Sequence, residues 1–431
     1  MIDTLYKAYR ESSGVCIDTR SISQNNLFIA LKGPSFNAND FVIQALNDGC
    51  RYAIADEDRD EFNSRSDVFI VDNALETLQQ LANYHRRKLK IPIISLTGSN
   101  GKTTTKELMK AALNEQYECY ATKGNLNNHI GVPLSLLEIN SDHEIAIIEM
   151  GANHKREIAT LCEIAEPGYG LITNIGLAHL DGFGGEEGVF IGKKELFDYL
   201  IENDGTLFVN KDDEKTVRAS SGNESTTYGS STDADFSGTP ELRNGMLAVT
   251  WSRSDINEKQ TIQTRLSGIY NFSNVMAAVT VARYFGVPLE KIKKGIESYI
   301  PSNQRSQLLD TKNENTVIVD CYNANPSSMD AALRNLAEMK SKPSLAILGD
   351  MKELGDQGHE SHLKIVNQLS ELNIADSILI GEEFSNLNIS NHTFRSTESA
   401  KDFLIKNPIH GRNILLKGSR SMKLEQLLEL L

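Results

Sequence analysis

The chain has 431 residues, 40% of them hydrophobic and 24% charged, which is typical of a globular protein and argues against an intrinsically disordered chain. A prior of about 100 to 200 residues per domain gives roughly two to four domains. Lys and Arg together number 44 against 58 for Asp and Glu, and the formal net charge of −14 argues against binding to the phosphate backbone of a nucleic acid.

The sequence contains no run of the roughly 18 apolar residues that a membrane span requires, and its first residues lack the basic and apolar segments of a signal peptide. We therefore expect a cytoplasmic protein without a membrane span. The cysteines are widely spaced and form no CxxC pair, so the sequence predicts buried free thiols instead of disulfides or a zinc site. They are Cys16, Cys50, Cys119, Cys162 and Cys321.

Periodicity divides the chain into three predicted domains of the α/β class. Residues 1–90 combine short apolar runs with a closing helical pattern, which predicts a small α/β domain. Residues 91–300 alternate strands and helices, which is typical of a parallel sheet covered on both faces. Their β-rich part, 206–267, includes a polar stretch at 219–239 that we expect to be a surface loop. Residues 301–431 contain four strand and helix units, which predicts a doubly wound, Rossmann-like domain.

A glycine-rich turn lies between an apolar strand and a helix at the start of the central domain. Such a turn directs backbone N–H groups toward phosphate oxygens, while Lys102 can reach the β and γ phosphates and Thr103 can bind magnesium. Because position 96 is Leu, the turn has the shorter pattern GxxGKT. The sequence thus predicts a P-loop-type ATP site formed by Gly98, Ser99, Asn100, Gly101, Lys102, Thr103 and Thr104.

Two further residues of the central domain follow apolar strands. Glu149 ends the run EIAIIE, at the edge of the sheet where ligands bind, and is a candidate magnesium ligand. His179 follows the next strand, YGLI. Magnesium prefers oxygen ligands, so the residue type alone favours a structural role for His179.

Lys193 lies on an apolar helix face with Leu196, Phe197 and Leu200, at spacings of three, four and seven. A lysine in that position is costly unless its charge is paired or chemically changed. Its side chain could also extend along the apolar face to solvent. Lys194 lies toward the flank, one turn before Asp198.

Polar residues also cluster around the predicted third domain. Asn271 and Asn274 begin a helix, where their amides can bind a purine, and Asn271 could instead cap the helix. Arg305 follows the domain junction and can contact a phosphate or remain a surface charge. Three strands of the last domain end in polar groups, which predicts a ligand edge. These groups contain Asp320, Tyr322, Asn323 and Asn325, then Asp350, then Lys417, Ser419 and Arg420.

Together, SNGKTTTKE, NLNNHIGVPLSLL, EMGANH, NIGLAHLDGFG, YNANPSSM, GDMKELG and KGSRSM resemble the Mur ligase family along nearly the whole chain. Within that family they look like the members that add D-alanyl-D-alanine to UDP-N-acetylmuramoyl tripeptide. The resemblance implies an ATP- and Mg²⁺-dependent amide ligase that works through an acyl phosphate in peptidoglycan precursor synthesis, and so serves cell shape and division. We expect a monomer, and the third residue of the tripeptide stays open between lysine and diaminopimelate.

The resemblance also assigns roles to residues. It implies catalytic roles for Lys102, Lys193, Glu149 and His179, and a metal site of Thr103, Glu149, His179 and a carbamylated Lys193. Asn271 and Asn274 match residues on the adenine side, Arg305 a phosphate contact and Asp320 a ribose contact. The implied substrate-binding residues are Asp18, Thr19 and Arg20 at the UDP end, Asn127 and Asn128 near the muramoyl group, and Tyr322, Asn323, Asn325, Lys417, Ser419 and Arg420.

Two alternatives stay open at the level of sequence. One is another ATP-dependent ligase of the same superfamily that attaches a different residue to the precursor. The other is a nucleotide-dependent binding or switch protein that uses the P-loop without ligation, which leaves the polar edge of the third domain without a role.

Overall fold

The computed structural model describes residues 1–431 apart from residues 178, 244, 255, 303, 388, 390 and 391. Three sheets of mainly parallel strands follow one another along the chain, together with one small hairpin. The α/β class and the parallel sheets expected from the sequence are confirmed. None of the described helices is both long and apolar enough to cross a membrane.

The first sheet contains four parallel strands in the order β1-β2-β5-β6, while β3 and β4 form a separate hairpin. Asn73 begins the longest helix of this part, because its side chain accepts hydrogen bonds from the N–H groups of Leu75 and Glu76. The elements are β1 (Val15–Cys16), β2 (Leu27–Ile29), β3 (Lys32–Gly33), β4 (Phe36–Asn37), β5 (Tyr52–Ala55) and β6 (Val68–Ile70), with α1 (Ile2–Arg10), α2 (Val42–Asn47), α3 (Asp60–Asn63) and α4 (Ala74–Lys88).

The second sheet contains nine strands in the order β15-β14-β13-β12-β11-β10-β7-β9-β8, with antiparallel pairing only at β13-β14-β15. Its strands are β7 (Ile93–Thr97), β8 (Cys119–Ala121), β9 (Ile145–Glu149), β10 (Tyr169–Ile172), β11 (Thr206–Asn210), β12 (Ser225–Gly229), β13 (Phe236–Arg243), β14 (Met246–Arg253) and β15 (Ile256–Ser267). Its helices are α5 (Lys102–Leu113), α6 (Gly131–Leu137), α7 (Glu157–Ala165), α8 (Leu180–Phe183), α9 (Glu186–Glu202), α10 (Glu214–Ala219), α11 (Phe272–Tyr284) and α12 (Leu289–Ser298).

The expectation of a surface loop at 219–239 is wrong. Strand β12 lies inside this stretch and pairs in parallel with β11, and β13 begins at Phe236. Tyr228 and Phe236 are buried, while the intervening Ser and Thr residues account for the polar composition. Pairing with a neighbouring strand outweighs local composition here.

The third sheet contains six strands in the order β16-β17-β21-β18-β19-β20, and only β16 is antiparallel to its neighbour. The four expected strands are present, but β16 and β20 were not expected. The segments after the last strand, Arg420–Met422 and Leu424–Leu430, are 3-10 turns instead of the expected α-helix. The elements are β16 (Gln307–Asp310), β17 (Thr316–Asp320), β18 (Ser344–Gly349), β19 (Asp376–Ile380), β20 (His392–Phe394) and β21 (Asn413–Lys417), with α13 (Pro326–Glu338), α14 (Gly358–Glu371), α15 (Glu382–Ser385) and α16 (Thr397–Lys406).

The first two sheets are joined by a continuous hydrophobic core in which α1 and α4 pack near α6 and α7. The Tyr9 hydroxyl donates to the carbonyl of Leu137 at 2.6 Å, and the ring of His85 bonds the carbonyl of Ile139 at 2.8 Å. These contacts fix the first sheet on the central one. We propose domain boundaries near residues 90 and 300, where the chain passes from one sheet to the next.

Replacement of Phe208 in β11 tests how tightly the central sheet is packed. Its side chain is fully buried and meets the ring of Tyr284 edge to face, with 5.2 Å between centroids. We expect Phe208→Ala to lower the free energy of unfolding by about 3 to 5 kcal/mol in urea titrations. Ile405→Ala is the control, because Ile405 is 57% exposed and its loss should cost less than about 0.5 kcal/mol. Equal losses in the two variants would contradict this packing.

Candidate active site

A cavity of about 1020 Å³ lies where the carboxyl ends of the central strands face those of the third sheet. This is the edge at which open parallel sheets bind ligands. Most of the site residues predicted from the sequence line it: Ser99, Asn100, Gly101, Lys102, Thr103, Thr104, Asn127, Asn128, Glu149, His179, Asn271, Asn274, Arg305, Asp320, Tyr322, Asn323, Asn325 and Lys417.

The turn between β7 and α5 is held in a conformation that needs glycine. Gly98 and Gly101 have φ angles of 145° and 79°, which favour glycine. A Cβ at Gly98 would lie 2.0 Å from Thr173 Oγ1, and one at Gly101 would lie 2.5 Å from Asn274 Oδ1. Close packing on both sides thus directs the N-terminal amides of α5 into the cavity, where they can bind phosphate.

Lys102, the first residue of α5, folds its side chain back over the turn. Its ammonium donates to the carbonyl of Gly98 at 2.6 Å. Burial lowers the pKa of Lys102 below its ordinary value, and the charge of Glu149 opposes that shift. The ammonium therefore lies at the turn that is shaped for phosphate.

Thr103 and Glu149 meet at the floor of the cavity. The Thr103 hydroxyl donates to Glu149 Oε2 at 3.0 Å, and the Asn127 amide donates to Glu149 Oε1 at 2.9 Å. Hydroxyl and carboxylate oxygens are ligands that suit Mg²⁺, which usually takes one or two carboxylates and completes its shell with phosphate and water. The two residues therefore fit a magnesium ion that also binds a nucleotide.

His179 reaches the same cavity from a left-handed backbone conformation, with φ of 53°. Its Nδ1 lies 2.5 Å from Glu353 Oε2, which belongs to the loop after β18. Burial lowers the pKa of His179, and the carboxylate of Glu353 opposes the shift. The pair joins the central and C-terminal sheets across the cavity.

Lys193 lies beneath the cavity on α9 and is 1% exposed, so extension of its side chain to solvent is wrong. Its ammonium donates to the carbonyl of Ala152 at 3.2 Å and lies 5.1 Å from the centroid of the Phe183 ring. Burial, followed by the positive charge of Lys102, holds the pKa of Lys193 well below 10.5. A buried amine with a lowered pKa has an increased neutral fraction, which is the nucleophilic form.

The neighbours of Lys193 are arranged as the helical spacing predicts. Leu196, Phe197 and Leu200 are fully buried on α9. Lys194 instead lies on the flank and forms an ion pair with Asp198 one turn later. Lys193 is therefore buried in an apolar environment, whereas the adjacent Lys194 lies on the flank of the helix and is paired with a carboxylate.

Asn271 and Asn274 lie at the start of α11 and are joined by a hydrogen bond of 2.9 Å. The Asn271 amide also donates to the carbonyl of Ser267, and Asn274 accepts from the Thr105 hydroxyl at 3.0 Å. The Asn271 side chain makes no capping bond to the helix, so the capping alternative is wrong. Both residues instead fix α11 against the P-loop helix.

The C-terminal part contacts the P-loop directly. The Asn325 amide donates to Asn100 Oδ1 at 2.8 Å, and the Asn100 amide donates to Ser327 Oγ at 2.9 Å. The guanidinium of Arg305 lies 3.8 Å from the centroid of the Tyr322 ring, a cation–π contact that fixes it at the cavity wall.

Asp320 and Lys417 form an ion pair at the carboxyl edge of the third sheet. Their atoms Oδ2 and Nζ lie 2.5 Å apart, and Lys417 is 1% exposed. The backbone N–H of Ser306 also donates to Asp320, at 3.3 Å. A ribose contact by Asp320 would therefore add to an existing set of hydrogen bonds.

A few predicted residues lie outside the lining of this cavity. Lys193 and Gly98 lie just below it, while Ser419 is buried and accepts a hydrogen bond from the N–H of Lys352. Asp350 is also buried and accepts from the N–H groups at the start of α15, which is a structural role. The others are Arg420, near the Tyr322 ring, and Asp18, Thr19 and Arg20, which lie in the 3-10 turn after β1.

Several residues in or beside the cavity were not predicted from the sequence. Asn174 accepts a hydrogen bond from the N–H of Asn100 at 3.0 Å, and its place two residues after the end of β10 was a usable signal. Glu353 lies in the motif GDMKELG, which was recognised without a role. Lys106 is fully buried, with its ammonium 3.9 Å from Glu149, and only the folded chain brings them together.

Gly101→Ala tests the close packing of the turn. The added Cβ would displace Asn274, and overpacking of this kind costs roughly 1 to 3 kcal/mol. We expect ATP binding, measured by calorimetry, to weaken at least about ten-fold.

Gly222→Ala is the matched control, because Gly222 has a similar φ of 73° but nothing lies within 4 Å of the added Cβ. We expect it to bind ATP as the unaltered chain does. A similar loss of affinity in both variants would show that backbone strain alone, and not contact with Asn274, is responsible.

Comparison with known proteins agrees with this geometry. Residues 96–282 match the family model of the Mur ligase middle domain, and residues 304–420 match that of the Mur ligase, glutamate ligase domain. The UDP-N-acetylmuramoyl-tripeptide--D-alanyl-D-alanine ligase of Bacillus subtilis (strain 168) is 33% identical, with 96% of this chain and 92% of that protein covered.

Two other comparisons extend over most of the chain. The ligase of the same name from Synechocystis sp. is 33% identical over 86% of this chain and 80% of that protein. A crystal structure of MurF from Acinetobacter baumannii has a TM-score of 0.88 at 30% identity, covering 99% of this chain and 97% of that one.

Proposed function

The chain belongs to the Mur ligase family, and from this premise we propose that it adds D-alanyl-D-alanine to UDP-N-acetylmuramoyl tripeptide at the expense of ATP. It is an ATP-dependent amide ligase of peptidoglycan precursor synthesis, and the relatives that it matches are named UDP-N-acetylmuramoyl-tripeptide--D-alanyl-D-alanine ligase. The reaction supplies the cell wall and thereby serves cell shape and division.

The observation that carries this proposal is the enclosure of the P-loop by the C-terminal sheet. Asn100 is bonded to both Asn325 and Ser327, so the phosphate turn forms one wall and the third domain forms the other. A ligase needs such an enclosure, because water would otherwise hydrolyse the activated acyl group. A nucleotide switch has no need of it.

The reaction has two chemical steps. A carboxylate oxygen of the tripeptide attacks the γ-phosphorus of ATP, so that a C–O–P bond forms and ADP leaves. The amine of D-alanyl-D-alanine then attacks the acyl carbon, inorganic phosphate leaves and the nitrogen loses a proton. Positioning and neutralisation of the phosphate charge supply most of the rate enhancement in such transfers.

Different residues of the cavity bind the phosphates and the metal ion. Lys102 and the amides at the start of α5 hold the phosphates, and Arg305 brings a further positive charge from the C-terminal side. Thr103 and Glu149 would hold Mg²⁺, and we assign His179 to the same site. When bound, Mg²⁺ neutralises the charge of the transferred phosphoryl group.

A second cavity, of about 610 Å³, is large enough to be the binding site that we propose for the UDP end of the substrate. It lies between the first sheet and the central one and is lined by Cys16, Ile17 and Ser21, which flank the predicted segment Asp18, Thr19 and Arg20. Its other wall includes Leu126, next to Asn127 of the main cavity. We propose that the substrate extends from one cavity to the other.

We further propose that the protein acts as a monomer in the cytoplasm, where its nucleotide-linked substrate and ATP are present. The tripeptide ends in lysine or diaminopimelate, and the assay below includes both.

The function is tested by ADP formation with purified protein, ATP and each tripeptide, in the presence of different amines. We expect ADP to form only when D-alanyl-D-alanine is present, and a product mass that equals the tripeptide precursor plus the dipeptide minus water. Single amino acids should be refused. Preferred use of a single amino acid would favour another ligase of the superfamily, and phosphate release without an amine would favour a switch protein.

We propose that Lys193 is carbamylated. Its neutral amine attacks the carbon of carbon dioxide, an N–C bond forms and one proton is released, which gives an anionic carbamate. Burial and the charge of Lys102 both lower the pKa of this amine, which favours the reacting form. The carbamate offers two oxygens to a hard cation and removes a positive charge from the metal site.

Lys193→Ala should lower kcat roughly 10- to 100-fold or more, because it removes the carbamate from the metal site. Acetate in the buffer should restore part of the activity by supplying a carboxylate. Lys194→Ala is the matched control and should remain within about two-fold of the unaltered chain, since its flank ion pair contributes little.

The modification itself is measured without turnover, by ¹³C NMR of the protein equilibrated with ¹³C-bicarbonate. We expect a carbamate resonance in the unaltered chain and in Lys194→Ala, and none in Lys193→Ala. A spectrum without that resonance in the unaltered chain would contradict carbamylation.

A further inference from the structure

Glu353 differs from the other acidic residues that line the main cavity, because its carboxylate is only partly engaged. Glu149 is held by Thr103 and Asn127, and Asp320 is paired with Lys417. Two more acidic side chains are bound to backbone N–H groups, Glu157 to Asn153 and His154, and Asp213 to Lys215 and Thr216. Within the described part of the chain, Glu353 contacts His179 through Oε2, and Oε1 has no hydrogen-bond donor.

The loop that carries Glu353 is fixed in place. The N–H of Met351 donates to His362 Nε2 at 3.0 Å, and the N–H of Lys352 donates to Ser419 Oγ at 3.0 Å. Glu353 then adopts a left-handed conformation with φ of 65°, which an ordinary side chain adopts only where the surroundings determine it. Its side chain, 61% exposed, lines the cavity from the C-terminal side.

The charges around the site indicate what such a carboxylate can bind. Lys102, Arg305 and Lys417 line the same cavity and suit phosphate or carboxylate groups, but they would repel an ammonium. A second substrate that enters with a protonated amine therefore needs an anionic partner. His179, which holds Glu353, lines the same cavity as Lys102 and the phosphate turn, so the carboxylate of Glu353 faces the space that the phosphates would share.

We propose that Glu353 binds the primary ammonium group of the incoming dipeptide and holds it beside the acyl phosphate. One oxygen of the carboxylate keeps its contact with His179, and the other accepts a hydrogen bond from the amine. This inference rests on the proposed ligase function and gives a role to the motif GDMKELG, which is otherwise a structural loop.

The test is a KM measurement for each of the three substrates in Glu353→Gln and Glu353→Asp. Glutamine keeps the shape and removes the charge, so we expect the KM for the dipeptide to rise about ten- to a hundred-fold while those for ATP and the tripeptide change less than about two-fold. Aspartate should recover part of the loss. Glu360→Gln is the control, because Glu360 is an exposed residue of α14 that pairs with Lys364.

A second measurement isolates the ammonium group. N-acetyl-D-alanyl-D-alanine lacks that charge, so in the presence of ADP and tripeptide it should bind the unaltered chain more weakly than the free dipeptide. The difference should largely disappear in Glu353→Gln.

Three outcomes are decisive. If the KM values of all three substrates rise together, Glu353 serves closure of the domains and the inference is wrong. If none rises while the unaltered chain ligates the dipeptide, the inference alone is overturned. If the unaltered chain refuses the dipeptide, the proposed function fails, and the inference with it.

Discussion

The contact between the Thr103 hydroxyl and the Glu149 carboxylate is the interaction on which the rest of the cavity depends. It exists because β7 and β9 are parallel neighbours, with Leu96 opposite Glu149, so that the start of α5 meets the end of β9 at one edge. Lys102 is the first residue of α5, and the glycine-rich turn leads directly into this helix. A change in strand order would separate Lys102, the proposed phosphate-binding residue, from Glu149, the proposed metal ligand.

The C-terminal sheet completes this edge. Its strands also end at the cavity, so Asn325 and Arg305 face the turn formed by the central sheet. The hydrogen bond between Asn100 and Asn325 and the pair of His179 and Glu353 join the two sides of the cavity. The cavity is thus enclosed by a few polar contacts between the central and C-terminal sheets.

The sequence predicted what depends on local pattern and missed what depends on pairing over long distances. Thr103 and Lys193 were found because a glycine turn and a helical spacing each mark a position directly. Strand β12 was missed because a polar segment becomes a strand only beside β11. Glu353 was missed because its partner His179 lies far away in the sequence, and no local signal brings the two together.

The claim that the cavity activates a carboxylate by phosphorylation is tested most directly by isotope transfer. The tripeptide is labelled with ¹⁸O in the reacting carboxylate, and the phosphate released in the presence of ATP and D-alanyl-D-alanine is analysed by mass spectrometry. If a C–O–P bond forms, each phosphate carries one oxygen from the carboxylate, and the account predicts this label. Unlabelled phosphate, with the label retained only in the tripeptide or found in water, would contradict it.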